Sequence, residues 1–231
     1  MNKKEIKEYT FQKIGPYFSE QGFTVIKTNN ESLFNFEKKT DDYFYSCGGY
    51  TLKYDNYKLI YGFSFGIRSI VNILRQIDAK TSLSRVPYNL TESLIGVSPG
   101  AILFPKEHER PYKYFSDEYE LELCLFDVMA FYQSFFLPFC DKYKSIDKLD
   151  LLFNDFRDFK TDNQSFPKLA FFHVTRLIIA RLANNPEYEK VVEKNFEALE
   201  FLWEQDGGKY DRLDDNKPEV FAAKYLRDLK V

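Results

Sequence analysis

A chain of 231 residues with 44% hydrophobic and 29% charged side chains is long and apolar enough to bury a sizeable core, which excludes an intrinsically disordered protein. Its formal charge of -3, the balance of 32 Lys+Arg against 35 Asp+Glu, gives no field that would hold a phosphate backbone, and no nucleic-acid partner is expected. The opening MNKKEIKEYT lacks the apolar run of a secretory signal, and Cys47, Cys124 and Cys140 lie in apolar surroundings without metal or disulfide spacing, so a cytoplasmic, reducing compartment is expected.

In chain order, Ile6, Tyr9, Ile14, Tyr17 and Phe18 share one helical arc and predict a first helix. Gly22 stops it, and Pro16 is expected to kink or split it. From Phe23 the period changes to two: Phe23 and Val25, then Phe34 and Phe36 after an Asn29-Asn30 turn, then Tyr43, Tyr45 and Cys47. A glycine bulge at Gly48-Gly49 is expected to return Tyr50, Leu52 and Tyr54 to the same face, and Asp55-Asn56 to turn a hairpin. Counting back from that turn pairs Tyr54 with Tyr57, Leu52 with Leu59, Tyr50 with Tyr61, Cys47 with Phe63, Tyr45 with Phe65 and Tyr43 with Ile67.

These segments predict a four-stranded antiparallel meander over residues 23–66. Ile67, Ile70, Leu74 and Ile77 follow as a short helix. Residues 80–115, with four prolines, read as irregular apart from an added strand around Leu94 to Val97. LELCLFDVMAFYQSFFLPF has the length of a membrane span, but Glu122, Asp127, Gln133 and Pro138 interrupt it. It reads as a central buried helix from Asp117 to Leu137, bent or ended by Pro138, and no membrane partner is expected. Ser145 caps a helix through Phe153, and Pro167 opens another that reaches Ala183. Asn185 and Pro186 start its antiparallel partner, which Gly207-Gly208 stops, and a last helix carries Val220, Phe221, Tyr225, Leu226 and Leu229. The fold class is α+β: one domain over 1–231, with helix, meander and short helix in 1–79, an irregular 80–115, and a helical half in 116–231 packed on one sheet face.

Catalytic chemistry finds no motif. His108 lies in the charged KEHER, which lacks zinc-protease spacing, and His173 reads as a core-edge histidine; nothing supports a Cys47-His173 dyad. The glycines of SCGGY and GFSFG sit inside strands, where they cannot form a phosphate cradle opening a helix. DGGKYDRLDDN lacks calcium-loop spacing. No catalytic residue, metal or cofactor is expected.

Two surfaces stand out. On the sheet face opposite the aromatic core, Ser46, Gly48, Gly62, Ser64 and Gly66 come together with Phe44 at the margin. That low face serves curvature around the bulge, is covered by a helix or loop, or forms a ligand or partner groove. On the helix after Pro186, Glu189, Glu193, Glu197, Glu200 and Glu204 fall within about 80° of arc, opposite Tyr188, Val192, Phe196, Leu199 and Trp203. Such a row is a solvated face or the docking face for a basic partner.

PYFSEQGF (16–23), FNFEKK (34–39), FSFGIR (63–68) and YQSFFLPFCDKYKSIDKL (132–149) resemble uncharacterised bacterial α+β domains that include immunity-type proteins, the neutralising partners of secreted toxins. The resemblance implies a binding role and brings no catalytic residues. The expectation is therefore a protein-binding module whose Glu189, Glu193, Glu197, Glu200 and Glu204, with Phe44, Ser46, Gly62 and Ser64, meet a basic protein. The alternatives are a small-molecule binder with an aromatic-lined pocket, or a structural protein without catalytic activity.

Overall fold

The computed structural model describes residues 1–26, 32–53, 55–81, 95–97, 113–156, 168–169, 171–205 and 217–229. It is α+β, with an antiparallel sheet and a mostly helical C-terminal half. The chain divides into two compact units, Met1–Gly66 with Ser93–Asp141, and Ile67–Glu92 with Lys142–Val231.

The first unit opens with α1 (Lys3–Glu20). Asn2 caps it reciprocally: its side chain accepts from the Lys4 and Glu5 amides, and the Glu5 carboxylate accepts from the Asn2 amide. Ile6, Thr10, Ile14 and Phe18, all fully buried, continue one stripe across Pro16, so the helix runs through the expected break. That stripe keeps helical geometry although the proline removes one backbone donor. Gly22, at φ 81, supplies the left-handed stop.

The strands β1 (Thr24–Val25), β2 (Ser32–Lys39), β3 (Tyr43–Lys53) and β4 (Tyr57–Ile67) are neighbours in that order. Four is not the full count. The far edge of β4 carries two three-residue strands, β5 (Ile95–Val97) against Phe63, Ser64 and Phe65, and β6 (Lys113–Phe115) against Tyr57, Lys58 and Leu59. The added strand expected at residues 94–97 is β5. The Asn29-Asn30 turn, Tyr54 and most of 80–115 lie outside the described residues.

The expected bulge moves. Gly48 and Gly49 pair in regular alternation with Asn35 and Phe34, and the register shifts on β2 instead, between Ser32 and Phe34. Tyr50 and Leu52 therefore turn away from the core and are 41% and 37% exposed, while Leu59 is buried. Gly49 serves close approach: a Cβ there would lie 2.5 Å from Phe34 Cζ and 3.2 Å from the Ile60 carbonyl oxygen.

The core face is aromatic. Phe18 stacks on Phe36 with ring centres 4.9 Å apart, and Phe63 lies 5.0 Å from Phe136. Phe36 and Phe63 come from β2 and β4, and the rings that cover them from α1 and from the π-helical turn Tyr132–Phe136 that follows α3 (Glu118–Phe131). The π turn lets the helix continue as α4 (Leu137–Tyr143) with Pro138 inside it: the Leu137 N–H donates to the Tyr132 carbonyl, five residues back. Pro138 does not end the run.

In the second unit, α2 (Arg68–Thr81), α5 (Ile146–Asn154), α7 (Tyr188–Gln205) and α8 (Pro218–Asp228) surround α6 (Phe172–Leu182). Every residue of α6 from Val174 to Ala180 is buried, so this helix is the central one of its unit. It begins later than expected, because Lys168–Leu169 is extended and Phe171 holds a left-handed backbone at φ 49. Pro167 and Gly207-Gly208 lie outside the described residues. Asn185 does cap the partner helix, its side-chain oxygen accepting from the Glu187 amide at 2.8 Å.

Candidate functional site

The two expected surfaces lie in different units. In the second, α7 buries Val191, Val192, Asn195 and Ala198, and that side orients the helix. The opposite side is left to Glu189, Glu193, Glu197, Glu200 and Glu204, all exposed. Tyr188, Phe196 and Leu199 are only half-buried, and the Trp203 side chain lies outside the described ones.

The row is not uniform. Arg227 of α8 grips Glu189 with two donors, Nε at 2.9 Å and a terminal nitrogen at 2.6 Å, which holds that carboxyl below its ordinary value. Glu197 takes Lys194 Nζ at 2.6 Å on its own helix. Glu189 thus ties α8 down, and the outward charge is concentrated from Glu193 to Glu204. Phe201, 53% exposed, lies beside that stretch. Sequence reasoning missed it, although four residues from Glu197 and one from Glu200 it falls on the stripe's flank.

In the first unit, the Ser46 and Ser64 hydroxyls meet at 2.6 Å, as the expected register requires. Ser64 pairs with Gly96, so a low row crosses β3, β4 and β5, and Glu37, paired with Ser46, closes it on β2. Ser46, Gly48, Gly62 and Ser64 are half-buried and Gly66 is buried. Phe44 is 7% exposed under the Lys39 ammonium, which removes it as a contact residue. Lys58, also nearly buried, holds its ammonium 5.8 Å from the ring centre of Tyr114.

A cavity of about 330 Å³ is lined by Lys3, Lys4, Lys7, Ser32, Leu33 and Thr51. None of these is aromatic, in contrast to the aromatic-lined pocket considered above.

No family model, curated protein or solved structure matches this chain.

The candidates for chemistry are occupied structurally. His173 Nδ1 lies 2.8 Å from Asn195 Oδ1, and burial lowers the imidazole's pKa. All three cysteines are buried and in no disulfide, and burial pushes the Cys47 thiol well up, the reverse of what a nucleophile needs. Among the described residues, no group of three or more His, Cys, Asp or Glu could hold a metal ion. His108 and residues 206–216 lie outside the described residues.

A buried polar chain in the second unit was not anticipated. Arg176, fully buried on α6, lies 4.9 Å from the Phe172 ring centre and donates from Nε to Asn154 Oδ1 at 3.2 Å. Asn154 donates to Asp150 Oδ1 at 2.7 Å, and Asn185 donates to Asp150 Oδ2 at 2.6 Å. The chain links α5, α6 and the cap of α7. Burial lowers the Arg176 pKa to about 10 and raises that of Asp150, against the lowering effect of its two amide donors.

A carboxyl raised by folding contributes stability that is fully present in acid, below the ordinary value of about 3.9, and is lost as pH rises through the raised value. Asp150→Asn should therefore cost more stability at pH 3 than at pH 7. Urea denaturation of both chains at the two pH values checks this, and an equal cost at both would refute it.

Proposed function

We propose that this protein is a cytoplasmic, non-enzymatic protein-binding module of the immunity type, and that it engages a basic protein through the α7 face from Glu193 to Glu204. Phe201 carries the reading. A row of carboxylates alone is commonly a solvated face, but an exposed aromatic side chain beside it provides the pairing on which specific interfaces rely, a central apolar anchor with a charged rim. The rim steers an oppositely charged partner and the ring fills a pocket on it. Glu189 stands outside the recognition set because Arg227 of the same chain already occupies it.

The test uses the full chain as bait in native-cell extract, with Glu193→Gln/Glu200→Gln/Glu204→Gln and Phe201→Ala as comparison baits. The expected partner is basic, is retained at 50 mM salt, weakens at 300 mM, and binds each variant at least tenfold less tightly. A partner that binds all three baits equally at both salt concentrations would remove this face from the function.

A further inference from the structure

The cavity of about 330 Å³ belongs wholly to the first unit and has no part in the charged-face reading of α7. Its walls are the first turns of α1 and the ends of β2 and β3. Leu33 falls between the pairs Ser32–Tyr50 and Phe34–Gly49, so it is the inserted residue of the β2 bulge. Such an insertion bends a strand away from regular pairing. Leu33, 3% exposed, thereby becomes the apolar wall of the cavity, with the Ser32 and Thr51 hydroxyls beside it.

The charge lining that hollow has one sign. Lys3 and Lys7 stand one turn apart on α1, and Lys4, its side chain 85% exposed, adds an ammonium at the mouth. No carboxylate lines it among the described residues. Glu5 on the same turn accepts from the Asn2 amide at 2.7 Å, and Glu8 lies 3.8 Å from Lys4. Like charges one helical turn apart oppose the helix that carries them, and an anion held between Lys3 and Lys7 relieves that repulsion. The α1 amides take no part, since the Asn2 side chain already accepts from those of Lys4 and Glu5.

We infer that this cavity binds a small organic phosphate, its phosphoryl group between Lys3 and Lys7 and its carbon body against Leu33. A phosphomonoester carries nearly two charges at neutral pH and three acceptor oxygens, enough to serve two ammonium groups at once, whereas a monocarboxylate carries one. Lysine suits it as a compact point charge. Size limits the remainder: the volume equals about eleven waters at about 30 Å³ each, room for a phosphoryl group and a sugar-sized body. Leu33 gives such a body an apolar contact that free phosphate cannot use, and the Ser32 and Thr51 hydroxyls can meet its hydroxyl groups.

The test is an amide NMR titration of the full nitrogen-15-labelled chain with ribose 5-phosphate, ribose and inorganic phosphate at 50 mM salt. Ribose 5-phosphate should shift the amides of Lys3, Lys4, Lys7, Leu33 and Thr51 with a Kd below about 1 mM. Inorganic phosphate should act on the same amides at least threefold more weakly, and ribose on none. Lys3→Gln/Lys7→Gln should weaken ribose 5-phosphate at least tenfold without lowering the urea midpoint. Lys142→Gln/Lys148→Gln, the same loss of charge in the second unit, should leave binding unchanged. A weaker ribose 5-phosphate complex, shifts confined to other amides, equal affinity for inorganic phosphate (an adventitious ion only), or equal weakening in both double variants overturns the proposal.

Discussion

Phe18→Ala is expected to destabilise the protein by about 3–5 kcal/mol, the range for emptying a fully buried aromatic site. Phe18 is 0% exposed and stands where the helix and sheet of the first unit meet. Its ring centre lies 4.9 Å from Phe36, 5.3 Å from Tyr132 and 5.5 Å from Phe23. Those partners come from β2, the π turn and the approach to β1, three segments that cannot collapse together into the space without moving the sheet. Where surroundings relax little, the cavity term adds to the lost transfer energy, which places this site toward the upper end of the range. A marginally stable fold has only about 5–15 kcal/mol in total. The control is Phe126→Ala: the same deletion at a position 56% exposed should change stability by no more than about 0.5 kcal/mol when measured on dilute protein. Urea denaturation of both variants decides it, and comparable losses would mean that the aromatic face is not where the first unit's stability resides.

That core was legible because alternation identifies a sheet face without knowledge of what covers it. Phe34, Phe36 and Phe63 could be assigned to one side from period two alone, and the Ser46 to Ser64 contact bears out the central part of the register. The glycines were less informative. A glycine in a strand fits a bulge or a close approach equally well, and the Phe34 ring lying over Gly49 marks the latter; Tyr50 and Leu52 turn outward because β3 alternates through Gly48 and Gly49 without an inserted residue. The short strands β5 and β6 escaped notice as a pair because three residues hold too little pattern, and their shared edge on β4 is set by tertiary contact. Composition misled for the helices. The stretch from Glu118 to Tyr143 is apolar enough to read as central, yet Tyr119, Leu123 and Phe126 face outward. The central helix of the second unit carries an arginine, which in a sequence reads as surface. The acidic row was legible because its spacing sets it opposite Val191, Val192 and Ala198, whereas the exposed Phe201 on its flank was not read from the sequence.

The largest effect expected in the second unit comes from that arginine's support. Asn154→Ala removes the acceptor of Arg176 Nε, the 2.7 Å donor to Asp150, and a 3.3 Å bond to the Arg176 carbonyl, while the cation stays fully buried. Leaving a buried group short of one hydrogen-bond partner costs about 1–3 kcal/mol, and more where the group is charged, because desolvation has already been suffered and part of its compensation is withdrawn. Arg176→Met keeps an unbranched stem against Phe172 and removes the charge itself, and replacing a buried ion by an apolar side chain of similar volume is commonly close to neutral. The two substitutions should therefore be unequal, with Asn154→Ala the more harmful. They should also be non-additive: introducing Arg176→Met into the Asn154→Ala chain should recover stability, since the buried Nε–H that had donated to Asn154 is then gone. A double-mutant cycle by urea denaturation, followed by helical circular dichroism, measures the coupling. If the double variant is less stable than Asn154→Ala alone, Arg176 is held by packing and its hydrogen bond to Asn154 is incidental.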